Sequence, residues 1–150
     1  MTELDSIDQK SKSMILSSVE RKAKKIFSKM PLLPVHDIGH VERVVGLAES
    51  ICIGEGIDPF LSQVAAWLHD IGRLQEIQAK EKGKKVFHAE ESAKQVPALL
   101  EEFELDLGEE NIKLIQDAVG RHSLLNKEDD SFLAMILRDA DRLDCLGAIS

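Results

Sequence analysis

Apolar residues recur at helical spacing along almost the whole chain, and this excludes most fold classes. Between Gly39 and Glu55, for example, Val41, Val44, Val45, Ala48, Ile51 and Cys52 fall on one stripe of a 3.6-residue repeat. No segment alternates apolar and polar residues with the β-branched enrichment of a strand. Tyr is absent, and aromatic residues make up only 4% of the chain. The pattern predicts an all-α fold, a compact helical bundle whose apolar stripes face one another. The 150 residues are enough for a single domain with one closed core.

Glycine and proline divide the pattern into six expected helices. The first covers roughly 7–30 and is broken by "KMPLLPVHDIGH", with its two prolines and glycine. The second covers roughly 39–55 and is followed by the turn "GEGID". Asp58 is expected to cap the third, with Pro59 at its first position. Gly72 is expected to end that helix through the left-handed conformation that glycine tolerates, ahead of a charged loop, "AKEKGKK". A fourth helix starts near His88 and is kinked or split at Pro97. A fifth runs from about Glu109 to His122, and a sixth from Ser131 onward. No stop signal follows Gly147, so the C-terminus is expected to be truncated.

Charge and composition remove several functions. A net charge of −8 opposes binding to a nucleic-acid polymer, which needs a basic surface. No apolar run approaches the ~20 residues of a membrane span. The polar, acidic start "MTELDSIDQKSK" is not a secretory signal. Cys52 and Cys145 lie in apolar helical patterns and read as reduced core residues, which implies a cytoplasmic protein.

The polar residues on the apolar stripes are the informative ones. In "AAWLHDIGR" an apolar helix ends in His69 and Asp70, two groups that are costly to bury. His40 opens the second helix on the side of Val44, Leu47 and Ile51. His88 opens the fourth. His122 continues the stripe Ile112, Ile115, Val119, and Asp141 shares a stripe with Ala134 and Leu137. In a compact bundle these groups converge. A divalent metal would offset the carboxylate charge and use the imidazole lone pairs. Nitrogen and oxygen donors without a Cys pair disfavour a structural zinc knot and suit Mn, Fe, Co, Ni, Mg or a catalytic Zn. Any one such His taken alone is more often a hydrogen-bonded core residue. The second His-Asp pair, His36-Asp37, reads as a turn and cap device for the second helix.

The stretches "HDIGHVERVVGLAESI", "EGIDPFLSQVAAWLHDIGR", "FHAEESA" and "RDADRLDCLGAI" resemble the HD superfamily of metal-dependent phosphohydrolases, in its single-domain branch. The resemblance spans about Val35 to Ile149. It implies that His40, His69, Asp70 and Asp141 hold one divalent metal. Asp139 is the competing carboxylate, and its position in "DADRLD" does not match the family pattern. Two-metal members add two His between the HD pair and the last Asp. The resemblance therefore allows a second ion on Asp70, His88 and His122. The other reading of His88 and His122 is contact with substrate phosphate or with metal-bound water.

The expected activity is phosphomonoesterase, nucleotidase or phosphodiesterase action on a small phosphorylated metabolite or nucleotide, through a metal-bound hydroxide. Asp70 and Arg73 are its candidate catalytic residues, with Arg73 offsetting phosphoryl charge. Lys82, Lys84 and Lys85 form a positive loop that can attract an anion, or simply a solvated loop. Arg43 is placed to pair with a carboxylate across the bundle. Glu90 and Glu91 complement a helix dipole. The alternatives are a di-iron oxygenase of HD type and a non-catalytic regulatory HD domain. The acids that deoxynucleotidases carry soon after the HD pair are reduced here to Glu76. A chain without Tyr also cannot carry the Gly-Tyr-Pro motif of cyclic-dinucleotide phosphodiesterases.

Overall fold

The computed structural model describes residues 7–30, 37–123 and 130–147. These form helices α1 (Gln9–Phe27), α2 (Ile38–Gly54), α3 (Phe60–Leu68), α4 (Arg73–Glu81), α5 (His88–Leu100), α6 (Glu104–Leu107), α7 (Glu109–Arg121) and α8 (Phe132–Gly147). A 3-10 turn, Glu101–Phe103, joins α5 to α6. The described residues contain no strand, as the absence of period-2 patterning predicts. No helix among them is long and apolar enough to cross a membrane.

α3 is the centre of the bundle. Phe60, Ser62, Val64, Ala65, Ala66, Trp67 and Leu68 are all buried, so the helix is covered on every side. It packs against α1, α2, α7 and α8. The end of a helix wrapped in this way is necessarily inside the protein, and His69 and Asp70 follow directly. Each is 0% exposed. α2 packs on α8, and α7 on both α5 and α8, so the elements bearing His40, His88, His122 and Asp141 surround that end.

Local chemistry starts the helices where the site needs them. Asp37 caps α2 by accepting from the His40 backbone N–H at 3.0 Å, which confirms the expected capping role of this residue. Its neighbour His36 lies outside the described residues. The Asp58 carboxylate accepts from the Phe60 N–H at 2.9 Å, while Pro59, expected at the first helical position, stands at the cap. Ser131 starts α8 by accepting from the Ala134 N–H at 3.1 Å. Pro97 lies inside α5, which continues to Leu100 before the 3-10 turn, so the break comes after the proline.

Two expectations are corrected. The chain after Gly72 is not loop: it enters α4 at once, and the charged segment becomes loop only past Glu81. α4 buries no residue and rests against α5, so it lacks the apolar stripe by which a helix is read. Gly72 itself is not left-handed, with φ −82° and ψ 1°. Its need for glycine is steric. A Cβ there would lie 2.5 Å from the His88 carbonyl oxygen and 2.5 Å from the Ser92 nitrogen. The Gly72 N–H donates to Ser92 Oγ at 2.8 Å. The turn after the HD pair thus lies directly on the first turn of α5, with no side chain between them.

Cys52 and Cys145 are both free thiols. Cys52 is buried in the core, as expected, and Cys145 is half-buried.

Candidate metal centre

Four imidazoles meet at the end of α3, all in the same orientation. His69 Nδ1 donates to the Ala66 carbonyl at 2.6 Å, and His122 Nδ1 to the Val119 carbonyl at 2.6 Å. His40 Nδ1 donates to Asp144 Oδ2 at 2.7 Å, and His88 Nδ1 to Glu76 Oε2 at 3.1 Å. Carbonyls and ionised carboxylates can only accept, so each Nδ1 carries its proton and each Nε2 offers a lone pair when the ring is neutral. All four Nε2 atoms face inward.

Asp70 lies between them. Its Oδ2 is 3.4 Å from His40 Nε2 and 3.4 Å from His69 Nε2. Its Oδ1 is 3.5 Å from His88 Nε2 and 3.6 Å from His122 Nε2. Asp141 Oδ1 completes the first side, 3.0 Å from His40 Nε2 and 3.5 Å from His69 Nε2. The structure therefore brings together all six expected ligand residues, in two groups that share one carboxylate. Asp139 is exposed on the other side of α8.

The donor set fits a divalent cation. His69 Nε2 and Asp141 Oδ1 are buried and have no hydrogen-bond partner. His88 Nε2 and His122 Nε2 lie 3.2 Å apart although each ring donates through its other nitrogen. Two facing lone pairs repel unless a proton or a cation lies between them. Ligand atoms of His40, His69 and Asp141 lie within 4.8 Å of one another, as do those of His69, Asp70 and His122. These residues can hold a divalent metal, and nitrogen–oxygen donor sets of this kind accept several.

Electrostatics point the same way. Burial disfavours a charge on His40, but the neighbouring carboxylates of Asp141, Asp70 and Asp144, which a protonated ring can face through both nitrogens, outweigh it and raise its pKa to about 10. His69 is also raised: burial opposes its charge, and Asp70 and Asp141 more than offset that. Burial raises the Asp141 carboxyl, yet His40 and His69 bring it below the usual carboxylate range. With no metal present, protons on the imidazoles supply the positive charge that the carboxylates require. His88 behaves differently. Burial dominates and lowers it to about 4, against the pull of Asp70, which leaves a neutral ring.

The surrounding residues hold the donors in place. Arg43 Nε donates to Asp144 Oδ1 at 2.7 Å, so the expected partner across the bundle is the carboxylate that orients His40. Arg73, the first residue of α4, donates from NH1 to Glu76 Oε1 at 3.1 Å and has its Nε 3.5 Å from Asp70 Oδ1. Glu76 Oε2 accepts from both the backbone N–H and Nδ1 of His88, at 2.9 and 3.1 Å. Asp144 and Glu76 were not expected as orienting residues. Asp144 was detectable, because it lies three residues after Asp141 on the same helical face. A buried pair behind α7 was also missed: Arg138 donates to Asp130 Oδ2 at 2.7 Å and to the Arg121 carbonyl at 3.0 Å. Of the expected lysines, Lys84 and Lys85 line a cavity against Glu76, whereas Lys82 caps the end of α4 and is replaced there by Lys80.

The sequence profile of the HD domain family matches residues 35–146, a stretch that contains every residue of this centre. The chain belongs to the HD domain family. A crystal structure of a predicted HD superfamily hydrolase from an uncultured Thermotogales bacterium is similar to this HD domain. It superposes with a TM-score of 0.67 at 30% sequence identity, over 91% of this chain and 72% of that one. No curated protein matches the sequence.

Proposed function

We propose that this HD protein is a metal-dependent phosphohydrolase acting on a small phosphorylated metabolite or nucleotide. One observation carries the reading. The two oxygens of Asp70 face two separate pairs of imidazole nitrogens, His40 and His69 on one side and His88 and His122 on the other. His40, His69, Asp70 and Asp141 would hold one divalent cation, and Asp70, His88 and His122 a second. Cations there would supply Lewis acidity towards phosphoryl oxygens and acidify water at neutral pH.

The protein's own groups do the rest. Asp144 and Glu76 hold their imidazoles in the tautomer that presents Nε2, which removes a reorganisation cost from each encounter. The apolar walls of α3 exclude bulk water from one side of the centre. Access is from the side of Asp141, His88 and Arg73, whose side chains are 18%, 14% and 14% exposed. Arg73 stands at that opening and can donate to the oxygens of an incoming phosphoryl group. A fixed guanidinium at the entrance favours an anionic substrate over the dioxygen of the oxygenase alternative.

The test is an assay of phosphomonoesters, phosphodiesters and nucleotides with Mn, Mg, Co and Ni, beside the Asp70→Ala variant. Wild-type protein should hydrolyse a subset in a metal-dependent way. Asp70→Ala should lose both metal and turnover while keeping its helicity, because no water replaces the shared carboxylate charge. Unchanged metal content in Asp70→Ala would remove the shared-ligand role. Paired irons with a visible absorption band and oxygen consumption would replace the hydrolase by the oxygenase.

A further inference from the structure

A second feature adjoins the metal centre through one residue. Gly83, with φ +71°, reverses the chain past the end of α4, and the Lys84 N–H returns to the Ala79 carbonyl at 2.8 Å. The reversal brings Lys84 and Lys85 back beside Lys80 of the last helical turn. With Glu76, Val86 and Phe87 they line a cavity of about 390 Å³. No carboxylate pairs with Lys80, Lys84 or Lys85 among the described residues, although the chain is acidic overall, at −8. Lys85 Nζ lies 5.4 Å from the centre of the Phe87 ring, and that ring is 54% exposed.

Glu76 is the shared wall. It lines this cavity while its carboxylate holds Arg73 and His88. Contacts run from the cavity wall through the Glu76 carboxylate and the His88 imidazole to Asp70. The cavity shares Glu76 with the surroundings of the centre and reaches Phe87, the residue before His88.

We infer that Lys80, Lys84 and Lys85 form a subsite for a second phosphoryl group, so that the preferred substrates are small molecules carrying two. The inference rests on the phosphohydrolase reading and narrows its substrate class. Three ammonium groups that no carboxylate pairs among the described residues can offset the charge of one phosphate dianion. The exposed Phe87 ring and Val86 give the body of the molecule, such as a nucleoside, an apolar surface between its two phosphates. Glu76 contributes selectivity. Its carboxylate, engaged by Arg73 and His88 on the side of the centre, disfavours a second phosphate against itself and leaves the lysine side of the cavity as the favourable position.

The probes are adenosine 3′,5′-bisphosphate and adenosine 5′-monophosphate, which share a nucleoside and differ by one phosphate. The metal-loaded wild-type protein should turn over the bisphosphate with the higher kcat/KM. In the Lys80→Gln/Lys84→Gln/Lys85→Gln variant the ratio of the two kcat/KM values should fall at least ~10-fold, chiefly through KM for the bisphosphate, as expected for lost charge-assisted hydrogen bonds. These are exposed side chains, so unfolding temperature and metal content should change little. An unchanged ratio, or no wild-type preference for the bisphosphate, overturns the subsite. If neither probe is hydrolysed, calorimetric binding of the bisphosphate to the metal-loaded protein decides independently of turnover. Binding weakened at least ~10-fold in the triple variant supports the subsite even as the hydrolase reading falls, and equal binding by both proteins overturns it.

Discussion

Asp144 on α8 accepts from His40 Nδ1 at 2.7 Å and is itself held by Arg43, so the third residue of α2 and the last turns of α8 are joined through one carboxylate. The bond assigns the imidazole proton to Nδ1 and directs Nε2 towards Asp70 and Asp141. A buried imidazole whose outer nitrogen loses its acceptor also loses its fixed orientation. Asp144→Ala should therefore weaken metal binding about 10–100-fold, the range for loss of such a supporting carboxylate. Arg43→Ala should cost much less, because the Arg43 side chain is 56% exposed and water can replace it. Metal titration calorimetry on both variants gives the comparison. Equal effects would assign Asp144 to α2–α8 packing alone.

Metal binding should release protons. In the metal-free protein, burial disfavours a charge on His40 but its three carboxylate neighbours raise it to about 10, and His69 is raised in the same way. At neutral pH an incoming cation must displace those protons, so apparent affinity should rise with pH. The sign for stability is opposite. A raised His contributes stability that is complete below its ordinary 6.5 and is lost as pH rises through about 10. The metal-free protein should thus melt at lower temperature as pH increases across that window. Binding heats that do not depend on the ionisation enthalpy of the buffer would contradict the proton release.

Gly72→Ala should disturb the His88 side of the centre more than the His40 side. The added methyl would meet backbone atoms of His88 and Ser92 at 2.5 Å, and backbone cannot move aside as a flexible side chain can. α5 must shift away from the HD turn and take His88 with it. The expected cost is about 1–3 kcal/mol, the usual range for overpacking. On the proposed two-ion arrangement, metal stoichiometry should fall at the same time towards one. Denaturant unfolding and elemental analysis measure the two effects. Wild-type values in both would show that the contact relaxes freely.

The sequence was most informative where polar residues interrupted apolar stripes. His40, His69, Asp70, His122 and Asp141 each lie on or directly beyond a buried helical face, so packing those faces together also brings the donors together. α4 is not legible in the apolar pattern, because Arg73–Glu81 buries nothing and periodicity reports burial rather than helicity. The constraint on Gly72 is the closeness of α5, a contact between segments that local spacing does not encode, and not the left-handed conformation that its position after a helix suggests. The same limit hid the Asp130–Arg138 pair and the contact of Glu76 with His88. Lys80 in place of Lys82 at the cavity is likewise beyond local spacing, since Gly83 folds the chain back past the end of α4.

Arg138 should be among the costliest positions outside the core. It is 0% exposed and joins Asp130 to the Arg121 carbonyl, one residue before His122. Arg138→Ala would leave the Asp130 carboxylate buried, at 1% exposure, without its main cation. Removing one partner of such a pair typically costs ~3–5 kcal/mol. Arg138→Ala/Asp130→Ala should recover part of that loss, since no isolated charge remains. Denaturant unfolding of the single and double variants measures it. A loss under ~1 kcal/mol for the single variant would mean that water reaches the pair.

Arg73 separates positioning from substrate contact. Its guanidinium donates to Glu76 and lies 3.5 Å from Asp70 through Nε, at the opening of the centre. If it only holds Glu76, and through it His88, then Arg73→Lys and Glu76→Gln should have one phenotype, weaker binding of metal on the His88 side. If it contacts the phosphoryl group, Arg73→Lys should keep both metals and lower kcat by roughly 10–100-fold, because an ammonium cannot donate to two oxygens in the planar arrangement of a guanidinium. Glu76→Gln should then differ, with its loss confined to metal binding. The second pattern is expected from the exposure of the site at Arg73. Steady-state kinetics beside metal analysis of both variants distinguishes them. Normal kinetics with a lowered unfolding temperature would assign Arg73 to the packing of α4 against the HD turn.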